Sequence, residues 1–521
     1  MSAAVCSRAI ALVVAVASDY LLADHAPEGA LELMFPPGCA LASTLRAFTR
    51  WDSAHFLAVA ADGWERHEYS HAFFPLYPLQ VRWLGALLAR ALPLCAAEAR
   101  VLAAVLLSNG AFVVAACCLH GLSERVLRDA RLSRTAALLF CATPASAFFS
   151  TAYSESTFAA ATFGGLLLLE HDAIWAASLV LGLATACRAN GTLHALPVAY
   201  AGARRLVRQL LEPPAPRPRG DHGAASGALA ELWLRAGWRV GWEAAGTALQ
   251  LGLVIGPYVA WQAAGYRRVC RHAAPGATSD SPVAHADHDA DRGPHTPTRI
   301  VRAVATSSLP AGFCEAALPD LYAHVQRSYW GVRLLGYWEW RQLPNFALAA
   351  PALLLCAAGS QASATLARAR CAGLPRRELL RRAFGLRARS PSATGGVGGL
   401  DGGHGSAEGE AAEPSKPSTG DGAMTPRALV YVVSWAVLSA LAFLMANVQV
   451  ATRLVSAACP PFYWYMAHLL LLRGPATEPP LPRTAAGGWL GSRRLRGWLC
   501  AYVTGFAVVG TVLHSNAYPW T

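Results

Sequence analysis

The sequence contains few charged residues. Only 15% of its 521 residues are charged, against about a quarter in soluble proteins, whereas 54% are hydrophobic and the mean hydropathy is +0.31. Lysine occurs once, as Lys416, so arginine carries nearly all of the positive charge. This shortage of charge, together with long apolar runs, excludes an ordinary soluble domain and indicates a polytopic membrane protein.

Two further absences reduce the number of function classes that the sequence can support. The 13 cysteines include no C-x-x-C pair and no zinc-ligand spacing. No basic–aromatic nucleic-acid module is present. The net charge of +12 comes from arginines that cluster in loops between apolar runs, as in the cytosolic loops of membrane proteins. We therefore predict no nucleic-acid partner.

A membrane-spanning helix needs about 20 predominantly apolar residues. The sequence offers such segments repeatedly, and we predict an all-α polytopic bundle with about eleven transmembrane helices. Residues 1–18 are alternatively a signal peptide, because "AVAS" resembles a cleavage site, but we favour a retained first span. The candidate spans are 5–23, 101–120, 135–150, 157–171, 173–188, 190–203, 245–264, 343–359, 428–446, 452–472 and 497–513.

Arginine-rich loops indicate the orientation of these spans. With residue 1 in the cytosol, all four basic loops fall on the cytosolic side. This agreement requires the segment 79–95 to lie along the membrane surface, which Arg82 and Arg90 favour. The four loops are 121–134, 203–220, 367–390 and 491–497.

Two long loops lie on the opposite side, 24–100 with interfacial helices and 265–342. The second contains a low-complexity insert at 272–298, whose His and Asp residues permit a metal interpretation but favour a flexible, non-specific tract. Residues 360–427 form a basic cytosolic loop, and its Gly-, Ser- and Pro-rich part at 391–427 has the composition of a disordered linker.

The motif "RWDSAHF" at 50–56 places charge directly beyond the first span. On a helix, Asp52 and His55 share a face at i, i+3, next to Arg50 and Trp51. Charged groups near lipid are costly and tend to mark function, although a tryptophan there is also a common interfacial anchor. The motif "AFFPLYP" at 72–78 indicates either a rigid interfacial turn or the wall of a groove for a lipid chain.

Further polar residues follow near the ends of later spans. Tyr153 and Glu155 lie in a tight turn, where Glu155 either faces a cavity or is solvated, and Arg188 is a cavity residue or an arginine that snorkels to the interface. Gln326, with its aromatic neighbours, suits a sugar platform or an aromatic belt. Arg453 suits a phosphate, or else pairs with a carboxylate on a helix.

The combination of motifs resembles the GPI mannosyltransferase II family. The stretches that carry the resemblance occur in order from residue 50 to the C-terminus. They are "RWDSAHF", "AFFPLYP", "TAYSESTF", "RANG", "YWGVRLLGYWEWRQLPNFALAAPALL", "QVATRLVSAACPPFYWYMAHLL" and the terminal "PWT".

The resemblance implies one multi-pass domain over 1–521 with a C-type glycosyltransferase (GT-C) fold, in the endoplasmic reticulum membrane with a lumenal active site. It implies dolichyl-phosphate mannose as donor and transfer in α1,6 linkage to the first mannose of the GPI intermediate. Both are membrane lipids, and an accessory membrane subunit is a further expected partner. No organic cofactor is expected, and no metal-binding residue is predicted.

The resemblance also assigns roles to residues. Asp52 lies where the family has the acidic residue of the first lumenal loop and is expected to be the catalytic base, and His55 would orient either Asp52 or the acceptor. Sister families have a paired-acid motif there, whereas this chain has Trp51-Asp52, which leaves the metal requirement open. Arg453 and Arg188 would hold the donor phosphate. The expected substrate-binding residues are Arg50, Trp51, His55, Glu68, Tyr153, Glu155, Arg188, Gln326, Tyr329, Trp330 and Arg453.

Three other interpretations stay open at this stage. One is another endoplasmic reticulum GT-C glycosyltransferase that uses a dolichyl-phosphate sugar and a different acceptor. The others are a non-catalytic scaffold subunit and a multi-pass transporter, which would show internal repeats and charges near the middle of the bilayer. Cys39, Cys270 and Cys314 all fall on the oxidising side, where Cys270 and Cys314 can pair.

Overall fold

A computed structural model describes most of the chain, and every regular element in the described part is helical. The described residues are 1–25, 35–65, 67–211, 225–270, 313–316, 319–372, 375, 426–471 and 493–520. The α-helices of eight or more residues in these ranges are α1 (Ser2–Leu21), α2 (Asp52–Asp62), α3 (Leu76–Ala91), α4 (Ala96–Leu127), α5 (Ala130–Cys141), α6 (Glu155–Glu170), α7 (Ile174–Cys187), α8 (Ala195–Leu211), α9 (Ala225–Cys270), α10 (Leu321–Trp330), α11 (Leu343–Cys371), α12 (Pro426–Leu444), α13 (Ala451–Ala458), α14 (Pro460–Leu471) and α15 (Arg493–Ser515).

Five stretches within these helices are long and apolar enough to cross a membrane, which supports the predicted membrane class. They are Ser2–Leu21, Ala96–Leu127, Gly237–Cys270, Trp340–Ala369 and Arg494–Ser515. Two shorter apolar helices cover Ile174–Cys187 and Ala428–Leu444. The number of about eleven spans stays a prediction, as does the interfacial position of α3. The insert predicted at 272–298 lies outside the described residues, as do residues 391–425 of the insert predicted at 391–427.

Two of the predicted spans consist of two helical pieces with a break between them. The span 452–472 divides where Cys459 is extended, at φ −120° and ψ 93°, before the two prolines that begin α14. A residue before proline avoids the helical region, and proline suits the first helical position. The span 135–150 breaks between Cys141 and Ser146, and Arg188, extended at φ −155° and ψ 143°, separates the predicted spans 173–188 and 190–203. Such breaks are tolerated in membrane proteins where protein or a cavity covers the backbone.

The core forms around the long helix α4, which packs against α3, α5 and α6. Phe140 of α5 is fully buried and makes edge-to-face ring contacts with Phe149, Phe163 and Tyr463 at centroid distances of 5.3–5.6 Å. Such aromatic contacts stabilise a core beyond the area that they bury. This cluster holds the broken segments together from inside.

Helix α1 packs against α15, and its residues Ala4 and Ala15 are buried. Arg8 is also buried within α1, and it donates hydrogen bonds to Ser146 Oγ at 2.9 Å and Ser150 Oγ at 2.7 Å. A buried guanidinium is tolerated only with such partners. These contacts join α1 to the rest of the bundle.

Two disulfides, Cys39–Cys95 and Cys270–Cys314, link the loops on one side of the bundle. The second is the pairing that the sequence allowed, and the first was not predicted. All four cysteines lie in segments that the loop charges place opposite the basic loops, where an oxidising compartment is expected. The first disulfide fixes the start of α4, where Glu98 completes a capping box with Cys95.

Candidate active site

Asp52 is the first residue of α2, and its backbone N–H donates to the Tyr153 hydroxyl at 3.1 Å. The chain enters the helix through Trp51, whose φ of 57° is uncommon for a residue with a side chain. A strained residue beside a carboxylate at a helix N-terminus is a typical feature of functional sites. The Tyr153 contact and the turn at Trp51 together fix the position of Asp52.

The Asp52 carboxylate forms an ion pair with Arg453, from α13. Both terminal nitrogens of Arg453 lie 2.9 Å from Oδ2 of Asp52. The side chain of Arg453 is 14% exposed and that of Asp52 is 34% exposed. Because both contacts are to Oδ2, Arg453 leaves the other carboxylate oxygen of Asp52 for a different partner.

Glu155 extends this ion pair into a row of alternating charges. Its Oε1 lies 2.7 Å from Nη1 of Arg188 and 3.8 Å from Nη1 of Arg453. Glu155 is fully buried, and Arg188 also donates to Ser154 Oγ at 3.0 Å. The row of charges contains two carboxylates and two arginines, in the order Asp52, Arg453, Glu155 and Arg188. An anion that binds there can therefore pair with two arginines that are already held in place.

The surroundings keep Asp52 ionised and His55 neutral. Burial raises the pKa of Asp52, but Arg453 first and then His55 oppose this, and the pKa ends below its usual value. Burial lowers the pKa of His55, although the Asp52 carboxylate opposes it. At neutral pH, Asp52 is therefore a proton acceptor and His55 is uncharged.

A cavity of about 750 Å³ opens above this row of charges. Asp52, Arg188 and Arg453 form its charged floor, and their side chains are at most 34% exposed. Polar groups nearby come from the α5–α6 and α7–α8 connections and from the segment after α12. They are Ser154, Asn190, Thr192 and Asn447.

Two further walls of the cavity differ in chemistry. One wall is apolar and comes from α12 and the residues after it: Leu438, Leu441, Ala442, Met445 and Ala446. The other is aromatic and comes from α9, α10 and the segment before α3: Phe73, Phe74, Tyr258, Tyr322 and Trp330. A charged floor between apolar and aromatic walls suits an amphipathic ligand with an anionic or sugar group and a long apolar chain.

Of the twelve residues predicted for the site, five line this cavity. They are Asp52, Arg188, Gln326, Trp330 and Arg453. Tyr153 and Glu155 support the floor from behind, through the contacts to Asp52 and to the two arginines. His55 lies outside the lining and stacks on Phe73 at 5.2 Å, so it supports the aromatic wall.

Two of the predicted substrate-binding residues are better explained otherwise. Arg50 is buried and pairs with Asp19 at 3.1 Å and Asp24 at 2.8 Å, and it donates to the Ser515 carbonyl at 3.2 Å. It therefore joins α1, the first loop and α15, and it does not line the cavity. Trp51 is 43% exposed and is not part of the cavity lining.

Glu68 and Tyr329 form a separate contact between the first loop and α10. The Tyr329 hydroxyl donates to Glu68 Oε2 at 3.4 Å, and Nε2 of His324 lies 2.9 Å from Glu68 Oε1. His324 was missed from the sequence, where no motif marks it. This contact holds α10, and with it Gln326 and Trp330, over the cavity.

Among the described residues, one group of three potential metal ligands comes close together: Cys39, Cys95 and Glu98. Its two sulfurs form a disulfide, and Glu98 caps α4, so these residues do not suit a metal ion. The carboxylates at the cavity floor are each paired with arginine.

Comparisons with known proteins connect this site to a family. The sequence model described as Mannosyltransferase (PIG-V) matches residues 3–212 and 244–521. The chain is 28% identical to the mouse protein named GPI alpha-1,6-mannosyltransferase 2, covering 99% of this chain and 97% of the relative. Identity and coverage are the same for the human protein of that name.

A more distant organism gives the same result. The protein of Drosophila pseudoobscura pseudoobscura named GPI mannosyltransferase 2 is 29% identical, over 99% of this chain and 98% of its own length. No solved structure is a significant match to the chain. The family match includes the floor, both walls and the connections of the cavity, and it agrees with the all-α membrane fold. The chain therefore belongs to the PIG-V mannosyltransferase family.

Proposed function

We propose that this protein transfers mannose from dolichyl-phosphate mannose to the first mannose of the GPI-anchor precursor, in α1,6 linkage, at the lumenal side of the endoplasmic reticulum membrane. The observation that carries the proposal is the ion pair of Asp52 and Arg453 on the floor of the cavity. Relatives named GPI alpha-1,6-mannosyltransferase 2 over nearly their full length support the choice of donor sugar and linkage.

The reaction requires inversion at one carbon, because the donor sugar is β-linked and the product is α-linked. The 6-hydroxyl oxygen of the acceptor attacks C1 of the donor mannose while the bond from C1 to the phosphate oxygen breaks. Asp52 accepts the hydroxyl proton, and the departing phosphate keeps the electron pair. Arg453 and Arg188 offset the charge that develops on that phosphate.

The ion pair also gives the Asp52 carboxylate a different pKa before and after the donor binds. Before the donor binds, Arg453 holds the pKa of Asp52 below its usual value, which makes the carboxylate a weak base. A donor phosphate that takes hydrogen bonds from Arg453 withdraws part of this stabilisation, so the pKa of Asp52 rises toward that of an effective base. The base is therefore strengthened only when the leaving group is in place.

The walls of the cavity would bind the rest of the two lipids. The apolar side chains of α12 suit the dolichyl chain, and Trp330 and Gln326 suit a pyranose, which stacks on an aromatic ring and hydrogen-bonds to an amide. Both substrates would reach the cavity from the membrane. An accessory membrane subunit stays a prediction.

Complementation tests the acceptor assignment. Cells that lack the second mannosylation step of GPI synthesis accumulate the single-mannose intermediate. We expect the wild-type chain to remove that intermediate and to restore GPI-anchored proteins at the cell surface. If the intermediate persists although the protein is present in the membrane, the acceptor assignment is wrong.

A further inference from the structure

The mouth of the cavity contains a second pair of arginines, Arg327 and Arg333. Both line the cavity, and both are exposed, whereas the side chains of Arg188 and Arg453 on the floor are 18% and 14% exposed. The cavity therefore has cationic groups at two levels, one deep and one open to the solvent.

A turn at the end of α10 lies between the two outer arginines. Gly331 has a φ of 63° and donates its N–H to the Arg327 carbonyl, while the Val332 N–H donates to the Gln326 carbonyl at 3.0 Å. This left-handed glycine turn reverses the chain directly after the helix. The turn returns the chain to the cavity, so that Arg333 lines the cavity together with Arg327.

An exposed apolar segment adjoins this turn. Leu334 is 66% exposed and Trp340 is 92% exposed. Trp338 and Leu343 in the same segment are exposed as well. The segment is fixed rather than loose, since the Leu335 N–H donates to the Leu444 carbonyl at 2.7 Å, at the end of α12. Exposed tryptophan and leucine beside arginine are typical of a surface that lies among lipid headgroups.

We infer that Arg327 and Arg333 form a second phosphate site, which binds the lipid phosphodiester of the acceptor. The inference rests on the proposed function, because a GPI precursor carries a phosphodiester between its inositol and its lipid. A displacement at C1 needs one phosphate at the floor, where Asp52 and Arg453 meet, and that phosphate belongs to the donor. The acceptor phosphate stays at headgroup level, where Arg327 and Arg333 lie beside the apolar segment.

Steady-state kinetics on the reconstituted full-length chain test this site. The variants are the double substitutions Arg327→Gln/Arg333→Gln and Arg327→Lys/Arg333→Lys, with Arg341→Gln as control. Arg341 is exposed in the same segment but does not line the cavity. Rates are measured with two synthetic single-mannose acceptors, one with the phosphodiester and one with a neutral linkage in its place.

We expect the Gln double variant to raise KM for the phosphodiester acceptor roughly tenfold or more, because two charge-assisted hydrogen bonds are lost. KM for the donor and KM for the neutral acceptor should change less than about twofold. The Lys double variant should recover part of the loss, since it keeps the charge but not the forked geometry.

Three results would overturn the inference. In the first, the Gln double variant behaves like Arg341→Gln. In the second, it raises KM for the donor instead, which would assign these arginines to the donor phosphate. In the third, the Gln and Lys double variants lose activity equally with both acceptors, which would show a structural role. A wild-type chain that transfers no mannose to either acceptor would instead contradict the proposed function.

Discussion

Arg453 holds both of its terminal nitrogens 2.9 Å from one oxygen of Asp52, although 401 positions separate the two residues in the chain. The pair joins α2 to α13 at the floor of the cavity. It connects the group that we assign as the base with the group that we assign to the leaving phosphate. Each therefore sets the charge state of the other, and the predictions below follow from this coupling.

Substitution of Arg453 should affect the chemical step. We expect Arg453→Gln to lower kcat by roughly 10²–10³-fold, as removal of a group that stabilises transition-state charge does. Arg453→Lys should recover only part of this, because lysine cannot reproduce two contacts to one oxygen. The measurement is the initial rate of mannose transfer by purified protein, with exposed Arg267 changed to Gln as control. Wild-type kcat in Arg453→Gln would remove this residue from the mechanism.

The pH profile should report the ion pair. Arg453 keeps the pKa of Asp52 below its ordinary value of about 3.9, so Asp52 stays ionised from neutral pH down to that range. We expect kcat/KM of the wild type, which reports the free enzyme, to show no loss from Asp52 protonation above about pH 5. In Arg453→Gln, burial acts without that opposing charge, and the acidic limb should move to higher pH. An acidic limb at the same pH in both proteins would contradict this coupling.

Glu155 should matter although it does not line the cavity. It is fully buried between Arg188 and Arg453, so Glu155→Gln leaves the two arginines without their shared counter-charge. We expect a loss of roughly tenfold or more in kcat and a lower melting temperature, because breaking a buried ion pair is strongly destabilising. The matched control is Glu124→Gln, whose side chain is 51% exposed. Equal behaviour of the two variants would show that the row of charges has no function.

The two disulfides give a test of topology. Peptide mapping of the unreduced protein should recover Cys39 linked to Cys95 and Cys270 linked to Cys314. Cys39→Ser should lower stability by about 2–4 kcal/mol, because the link restricts the unfolded chain.

Tags placed at 210 and 400 should be cytosolic, and a tag at 285 should be lumenal. A cytosolic tag at 285, or free thiols at these cysteines in the mature protein, would overturn the assigned orientation.

The sequence predicted the fold class and all three charged residues of the cavity floor. Low charge, apolar runs and arginine-rich loops were sufficient for an all-α membrane protein, because the bilayer constrains composition so strongly. Asp52, Arg188 and Arg453 were recognised because charge beside an apolar span is rare and needs a reason. That Asp52 and Arg453 touch was not predictable, since it depends on how α2 and α13 pack.

Two residues show where prediction from the local sequence pattern fails. Arg50 is two positions from Asp52 and was predicted to bind substrate beside it, but the positive φ at Trp51 turns the chain between them, and Arg50 pairs with Asp19 and Asp24. His324 was missed because its partner Glu68 lies in a different loop. Spacing along the chain indicates neither of these contacts, because both depend on tertiary packing.

The most direct test of the account is mannose transfer by Asp52→Asn, an isosteric change that removes the proton acceptor. The control is Asp172→Asn, an exposed aspartate with a φ of 59°, a conformation that asparagine tolerates well. We predict that Asp52→Asn reaches the membrane and elutes as folded protein, while kcat falls by roughly 10²–10⁴-fold and the control retains wild-type kcat. Near-normal transfer by Asp52→Asn would contradict the assignment of Asp52 as the base.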